Sequence, residues 1–488
     1  MTEPGTFRRW IPLGTVLLLG LALRFWRLGE LALIGDESYY WLWSHHLDWA
    51  YYDHPAGVAL MTWLSTALGG QSEIGVRWLN ALLGTGAIAL CYAVGARMIS
   101  RRAGLLAATA VAAGAPFLLT SRFVYTDALQ LFLLLLNLYL FWRLTSARPR
   151  PHPATALAFG LSLALLFNTK YSAYLYTVAL AVAVLVDHRH LLTEPRFWLA
   201  TLIGALGLVP VVAWNAAHGW ASFRWQLSHA SSSLMGEVSL AGTAYHNLAY
   251  LTWPLLVMAL LGLGLVRRPA ERLLTLVALL LLVPVVLSPA NSPRNLSSGL
   301  VALLLLAGTR WPVTLRNRRQ RWMVGILVVL LGAIALYGLG TVVNLSRSGH
   351  WPSSSAVRDI RRDATGWRQL GPELSTRPEP SFALDYSIAS QIWYYSHRPA
   401  YTSWGQYRIW GIPESREWTI VSLAFLPEEL VTERLDDAFQ SVQGPRRLVY
   451  EDQGATKTAY IWRAEGLLLD QDAFLQRFDF LTLLEDTR

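Results

Sequence analysis

Long apolar runs decide what this chain can become. Ile11 to Leu23, Ala154 to Phe167 and Trp322 to Val343 approach the roughly 20 residues that cross a hydrocarbon core of about 30 Å. With 53% hydrophobic and 15% charged residues and a mean hydropathy of +0.34, the composition points to a bilayer and not to a set of water-soluble domains. The pattern predicts spans near 11–28, 75–97, 104–121, 127–143, 154–169, 171–187, 197–214, 247–265, 272–288, 297–309 and 322–343. Arg8 and Arg9 precede the first of these, and no small-x-small pattern follows Arg24 and Arg27, so it reads as an uncleaved anchor.

Basic residues sort into alternate loops: Arg8 and Arg9; Arg97, Arg101 and Arg102; Arg143, Arg148 and Arg150; Arg189 and Arg196; Arg267, Arg268 and Arg272; and Arg310 to Arg321. By the positive-inside rule those ends face the cytoplasm. The net charge of +9 is therefore spent on orientation in short loops and not on one basic face, which argues against nucleic acid as a partner. The lone Cys91 excludes an intramolecular disulfide and reads as a small buried side chain.

An odd number of spans puts the N-terminus inside and the chain from about Asn344 outside, facing the periplasm if this is a bacterial inner membrane. The expected division is a transmembrane domain over 1–343, with its first outward loop at 29–74, and a periplasmic domain over 344–488. That tail is more polar, and Ser381–Tyr386, Thr419–Phe425, Arg447–Glu451 and Ala459–Arg463 read as short strands between helical stretches. A compact α/β domain of about 140 residues is the expectation.

The first outward loop is crowded with Tyr39, Tyr40, Trp41, Trp43, Trp49, Tyr51 and Tyr52. Rings with an apolar body and a polar tip suit helices lying among the headgroups. Among them stand Asp36 and Glu37, then Asp53 and His54. A carboxylate within reach of an acceptor hydroxyl can take its proton, while Gly-Asp-Glu-Ser ahead of an aromatic helix is equally the pattern of an N-terminal cap. The same two roles stand open for Asp127, at the outward start of a span.

Arg122, Lys170, Arg224 and Arg294 break the positive-inside trend by falling at outward ends. Lys170 stands out because Lys457 is the only other lysine. Such cations either snorkel to the interface or converge on a phosphate, which bidentate arginine and point-charge lysine both bind. His45, His46, His54 and Asp53 are ligand types for a divalent cation, although their spacing fits no metal template and an interfacial role is the alternative.

Taken together, Gly35-Asp36-Glu37-Ser38-Tyr39-Tyr40-Trp41-Leu42-Trp43 and Tyr51-Tyr52-Asp53-His54-Pro55-Ala56-Gly57 resemble the first periplasmic loop of the protein-O-mannosyltransferase-like and aminoarabinose-transferase-like glycosyltransferases of the GT-C superfamily. Thr126-Asp127-Ala128 resembles the second acidic motif of that family, Thr169-Lys170-Tyr171 its lysine motif, and the stretch from His218 to Leu227 a segment common in the bacterial branch. One departure is Ala56, where the family carries a second proline after His54-Pro55.

The resemblance implies a helical polytopic GT-C fold of about eleven spans with juxtamembrane helices, and a sugar transferred from a polyprenyl-phosphate donor to a lipid, glycan or protein acceptor. It places the general base at Asp36, with Glu37 beside it and Asp127 close to it. Donor phosphate falls to Lys170, joined on topology by Arg122, Arg224 and Arg294. Asp53 and His54 are left as loop, acceptor or metal residues. A flippase and a membrane anchor for the tail are the rival classes. Charge gathered at outward ends instead of the midplane, without an inverted repeat, speaks against the flippase.

Overall fold

The computed structural model describes residues 4–147, 151–235, 253–260, 268–287, 293–314 and, apart from 425, 453 and 454, 363–479, with isolated positions between 322 and 360. Two compact units result. One comprises Met1–Leu28, Asp48–Gly69 and Arg77–Leu339, and the other Gly29–Leu47, Gly70–Val76 and Gly340–Arg488.

The first unit is helical. Glu73–Met98, Thr126–Ser146, Pro195–Ala217 and Pro269–Leu287 are long and apolar enough to cross a membrane, and Arg101–Ala113 with Ala115–Arg122 makes a fifth if the pair, bent by 57°, counts as one span. Shorter apolar helices at Trp10–Phe25, Pro153–Phe167, Ser172–Asp187 and Ser297–Gly308 fall on other expected spans. Of the expected span at 247–265 only Trp253–Leu260 is described, and that at 322–343 lies almost wholly outside the described residues. Small residues let these helices approach closely. A Cβ at Gly160 would stand 2.5 Å from the Ala200 carbonyl oxygen, and one at Gly207 2.5 Å from Ala164 backbone.

The bend replaces the straight span expected at 104–121, and its cause is local. Pro116 has no N–H to give the Ala112 carbonyl, so the ladder must break there. The fully buried Arg24 fills the gap, donating to the carbonyls of Ala112 and Val111 at 3.1 and 3.0 Å. A residue that reads as the break at the end of one span thus satisfies the break in another.

The second unit contains a five-stranded mixed sheet of order β2-β1-β3-β5-β4. Its strands are β1 (Ser381–Ala383), β2 (Ala400–Tyr401), β3 (Glu417–Leu423), β4 (Phe439–Asp452) and β5 (Ala455–Leu467). β1 runs parallel to β2 and β3, whereas β5 is antiparallel to both β3 and β4. The helix Tyr386–Ser396 makes the crossover that parallel β1 and β2 require. Phe382, Trp418 and Phe474 interlock beneath the sheet, with ring centroids 4.7 to 5.9 Å apart.

The four expected strands fall on β1, β3, β4 and β5, but β3 covers Glu417–Leu423 in place of Thr419–Phe425, and β4 and β5 run well beyond Arg447–Glu451 and Ala459–Arg463. The strand expected over Ser381–Tyr386 stops at Ala383 because the Asp385 carboxylate accepts from the Ser387 N–H at 2.8 Å and starts a helix. The two-residue β2 is too short to leave a period in the sequence.

The aromatic first loop also departs from expectation. Its helix Gly35–His45 belongs to the sheet-containing unit, and Tyr39, Tyr40, Trp41 and Trp43 are buried instead of forming a headgroup belt. Rings of Tyr39 and Tyr386 stand 4.8 Å apart. Exposed apolar side chains of the loop fall later, at Trp49, Leu60, Trp63, Leu64 and Leu68, where the helix Gly57–Gly69 has the exposed apolar face of an interfacial element.

Candidate functional site

In the helical unit the second acidic motif, at Asp127, meets the lysine motif at Lys170. Tyr125 ends the preceding turn in extended geometry, and Asp127 enters the first turn of Thr126–Ser146. A carboxylate there complements the helix dipole. The helix has no side-chain cap, and Asp127, only 1% exposed, pairs with Lys170 at 3.0 Å. The capping reading of Asp127 gives way to an ion pair.

Lys170 is presented by a held turn. Asn168 closes the end of Pro153–Phe167 and donates through Nδ2 to the carbonyls of Ala164 and Gly207, at 2.9 and 2.8 Å. The Thr169 hydroxyl adds a bond to Leu166. The Lys170 ammonium then reaches both Asp127 and, at 2.6 Å, Asn295 Oδ1. Beside them Gln130 bridges Ser172 and Ser298. Asn295, Gln130 and Ser298 carry no family motif and escape a reading by spacing. They converge because the short turn Pro293–Leu296 and the starts of three helices share one end of the unit.

Asp53 and His54 lie on a tight turn against the same segment. The His54 carbonyl accepts from the Tyr51 N–H at 2.9 Å, Ala50 and Pro55 form an isolated bridge, and Gln226 donates to the Asp53 carbonyl. Gly57 then donates to the Asn168 carbonyl at 2.6 Å, where a Cβ would come within 2.3 Å of that oxygen. Glycine is therefore required to seat this turn beside Thr169-Lys170-Tyr171. The Tyr171 hydroxyl bonds Ser222, linking the turn to the His218–Leu227 segment.

The outlying arginines separate into different roles. Arg122 Nη1 donates to the carbonyls of Leu23, Arg24 and Trp26 at 2.8 to 3.0 Å. It closes the end of the first helix, a role absent from the sequence reading. Arg224 is exposed and donates to Gly219 in its own turn. Arg294 lies in the turn that carries Asn295.

In the sheet-containing unit Asp36 and Glu37 divide the open roles between them. Glu37, fully buried, accepts from the Ile34 N–H at 3.1 Å and so caps its own helix. Asp36 instead accepts from the Tyr386 hydroxyl at 3.0 Å. Around them Asp363 accepts from the Gly35 N–H at 2.9 Å and from Gln391, while Lys457 donates to the Asp363 carbonyl at 2.8 Å and lies 3.9 Å over the Trp367 ring. Burial pushes the Asp363 carboxyl up to about 6 against the pull of Lys457, and burial likewise raises that of Asp385. The second lysine was visible by rarity, but nothing in the sequence near Asp363 marks it.

For a metal, the candidates do not assemble. His45 Nδ1 lies 2.9 Å from the Trp41 carbonyl oxygen, and His46 packs on Trp393 and Trp410. Among the described residues no three His, Cys, Asp or Glu side chains gather in a ligating group.

Comparison with known proteins agrees with the motifs. Residues 53–214 match the family model described as dolichyl-phosphate-mannose-protein mannosyltransferase, a stretch that takes in Asp53, His54, Asp127 and Lys170. The lipid A galacturonosyltransferase RgtD of Rhizobium johnstonii is 26% identical over 212 residues, covering 42% of this chain and 44% of that relative, less than half of its length. Two crystal structures of ArnT from Cupriavidus metallidurans share the fold. The apo form matches with a TM-score of 0.58 at 14% identity over 94% of this chain and 98% of ArnT. The form bound to undecaprenyl phosphate gives 0.59 at 16% identity over 93% and 98%.

Proposed function

We propose, on the premise that this chain carries the fold and family signature of the GT-C membrane glycosyltransferases, that it transfers one sugar from a polyprenyl-phosphate carrier to an acceptor at the outer face of a bacterial inner membrane. The observation that carries the proposal is the Asp127–Lys170–Asn295 cluster, built on the buried Asp127 with Lys170 largely covered, a costly set of polar groups at the end of apolar helices. Lys170 supplies the cation that a phosphate leaving group needs. The similar ArnT binds undecaprenyl phosphate, and the partly matching RgtD is a glycosyltransferase; both support the donor and reaction class.

In the proposed reaction the acceptor oxygen attacks the anomeric carbon, its proton passes to Asp36, and the bond from that carbon to the lipid phosphate oxygen breaks. A single displacement inverts the anomeric centre. Asp36 is the better of the adjacent carboxylates for this work because Glu37 is engaged in capping. Lys170 offsets charge growing on the departing phosphate.

The test is transfer by purified protein in lipid, from a panel of radiolabelled polyprenyl-phosphate sugars, galacturonic acid first, into membrane extract. Asp36→Asn should lower transfer by about 10²–10⁴-fold while retaining donor binding. Lys170→Met should weaken donor binding by about 10–100-fold. Transfer by Asp36→Asn at the wild-type rate would remove Asp36 as the base. Movement of the lipid across vesicles with no sugar transferred would make the protein a flippase.

A further inference from the structure

The mechanism leaves unexplained why Asp36 is held by residues more than 320 positions later in the chain. Gly35, the residue before it, donates to Asp363 Oδ2 at 2.9 Å, and Leu33 before that offers its carbonyl to Gln391 Nε2 at 2.9 Å. Gln391 also donates to Asp363 Oδ1 at 3.2 Å, so one amide ties the loop and the carboxylate together. Lys457, from β5, fixes Asp363 from behind through its carbonyl while resting on Trp367. The loop comes so close to the Tyr386–Ser396 helix that a Cβ on Gly35 would stand 2.3 Å from the Ser387 Cβ. From the first residue of that helix the Tyr386 hydroxyl donates to Asp36 Oδ1 at 3.0 Å, and its ring is gripped by Tyr39 at 4.8 Å and Trp404 at 4.9 Å.

We propose that Tyr386 is a positioning residue for Asp36, supplied by the C-terminal region: its hydroxyl aims the carboxylate and favours the ionised, proton-accepting form, on a frame set by Asp363, Gln391 and Lys457. The inference rests on Asp36 being the base. A hydrogen bond to the charged form of a carboxyl lowers its pKa. The groups facing Asp36 work in opposite directions. Asp363 and Asp385 are charge-coupled to it and oppose its ionisation when they are themselves ionised. Glu37 adds negative charge from the same helix, Lys457 acts beyond Asp363, and Tyr386 donates directly to the carboxylate. Against these acidic neighbours the Tyr386 hydroxyl favours the ionised form of Asp36, the form that accepts a proton.

Tyr386→Phe tests this while keeping the ring and its stacking partners. In full-length protein, with the donor from the panel that supports transfer, the acidic limb of the kcat profile should move up by about 0.5–1 pH unit. The plateau should fall several-fold, with KM for the donor unchanged. Asp363→Ala, which frees the Gly35 backbone, should lower kcat without moving KM. Tyr386→Phe with an unmoved limb and an unmoved plateau overturns the inference while leaving the base in place, provided Asp36→Asn is inactive. Asp36→Asn with wild-type activity overturns the base reading and this inference with it. A Tyr386→Phe protein that loses donor affinity and keeps kcat also overturns it, since the residue would then serve binding.

Discussion

At the residue scale, the adjacent carboxylates show how one sequence pattern holds two fates. Asp36 and Glu37 were both open to capping or catalysis, and backbone geometry separated them: the third residue of a helix can reach back to the N–H ahead of it, and Glu37 does so. Asp127 and Lys170 pair for a different reason, since each charge in an apolar surrounding needs the other. Lys170→Met should therefore cost about 3–5 kcal/mol by stranding Asp127. Combining it with Asp127→Leu should restore most of the unfolding temperature in detergent while leaving transfer abolished. If the double variant is no more stable than the single one, the pair is not the main tie between these helices.

At the element scale, a helix end engages one of the arginines that topology alone marked as phosphate ligands. Arg122 was conspicuous because it lies at an outward end, yet its Nη1 serves three carbonyls at the end of Pro4–Phe25. Carbonyls left by the last turn of a helix have no partner within it. Arg122→Met should lower stability by roughly 2–4 kcal/mol, read as an earlier thermal transition, with donor affinity per folded molecule unchanged. A selective loss of donor affinity with an intact transition would return Arg122 to the phosphate. Positions of the described apolar helices were legible from apolar runs, because length and composition reflect the surroundings each helix must face. The 57° bend between Arg101–Ala113 and Ala115–Arg122 was not read from the sequence, although Pro116 is its local cause, and the carbonyls it frees are met by Arg24, distant in sequence.

At the scale of the whole molecule, the chain returns to its own beginning: residues 29–47 belong to the unit built from the C-terminal sheet. Stability should carry the mark of Asp363 in that unit. Its carboxyl is raised from 3.8 to about 6, so the folded state holds the proton more tightly than the unfolded chain. The stabilising contribution is full below about pH 4 and is lost as pH rises through about 6. Asp363→Asn, which cannot ionise, should gain on the wild type across that window by about 1–3 kcal/mol, seen as a widening gap between the two unfolding temperatures. A gap that does not change with pH would show that Asp363 is not the titrating group.

The sequence by itself determined that the chain is a helical membrane protein with a mixed α/β tail, because hydrophobic length and alternation are local properties. Lys170 stood out by itself, as a rare cation at an outward end of a span, whereas Asp36 and Asp127 stayed open between capping and chemistry until the family resemblance marked them. Tertiary structure alone decided what those residues touch. Asn295 beside Lys170, and Tyr386 and Asp363 around the Gly35–Asp36 step, come from segments far apart in the chain. A hydrogen bond between such segments leaves no period, spacing or composition behind it, and exists only once the backbone has brought donor and acceptor together.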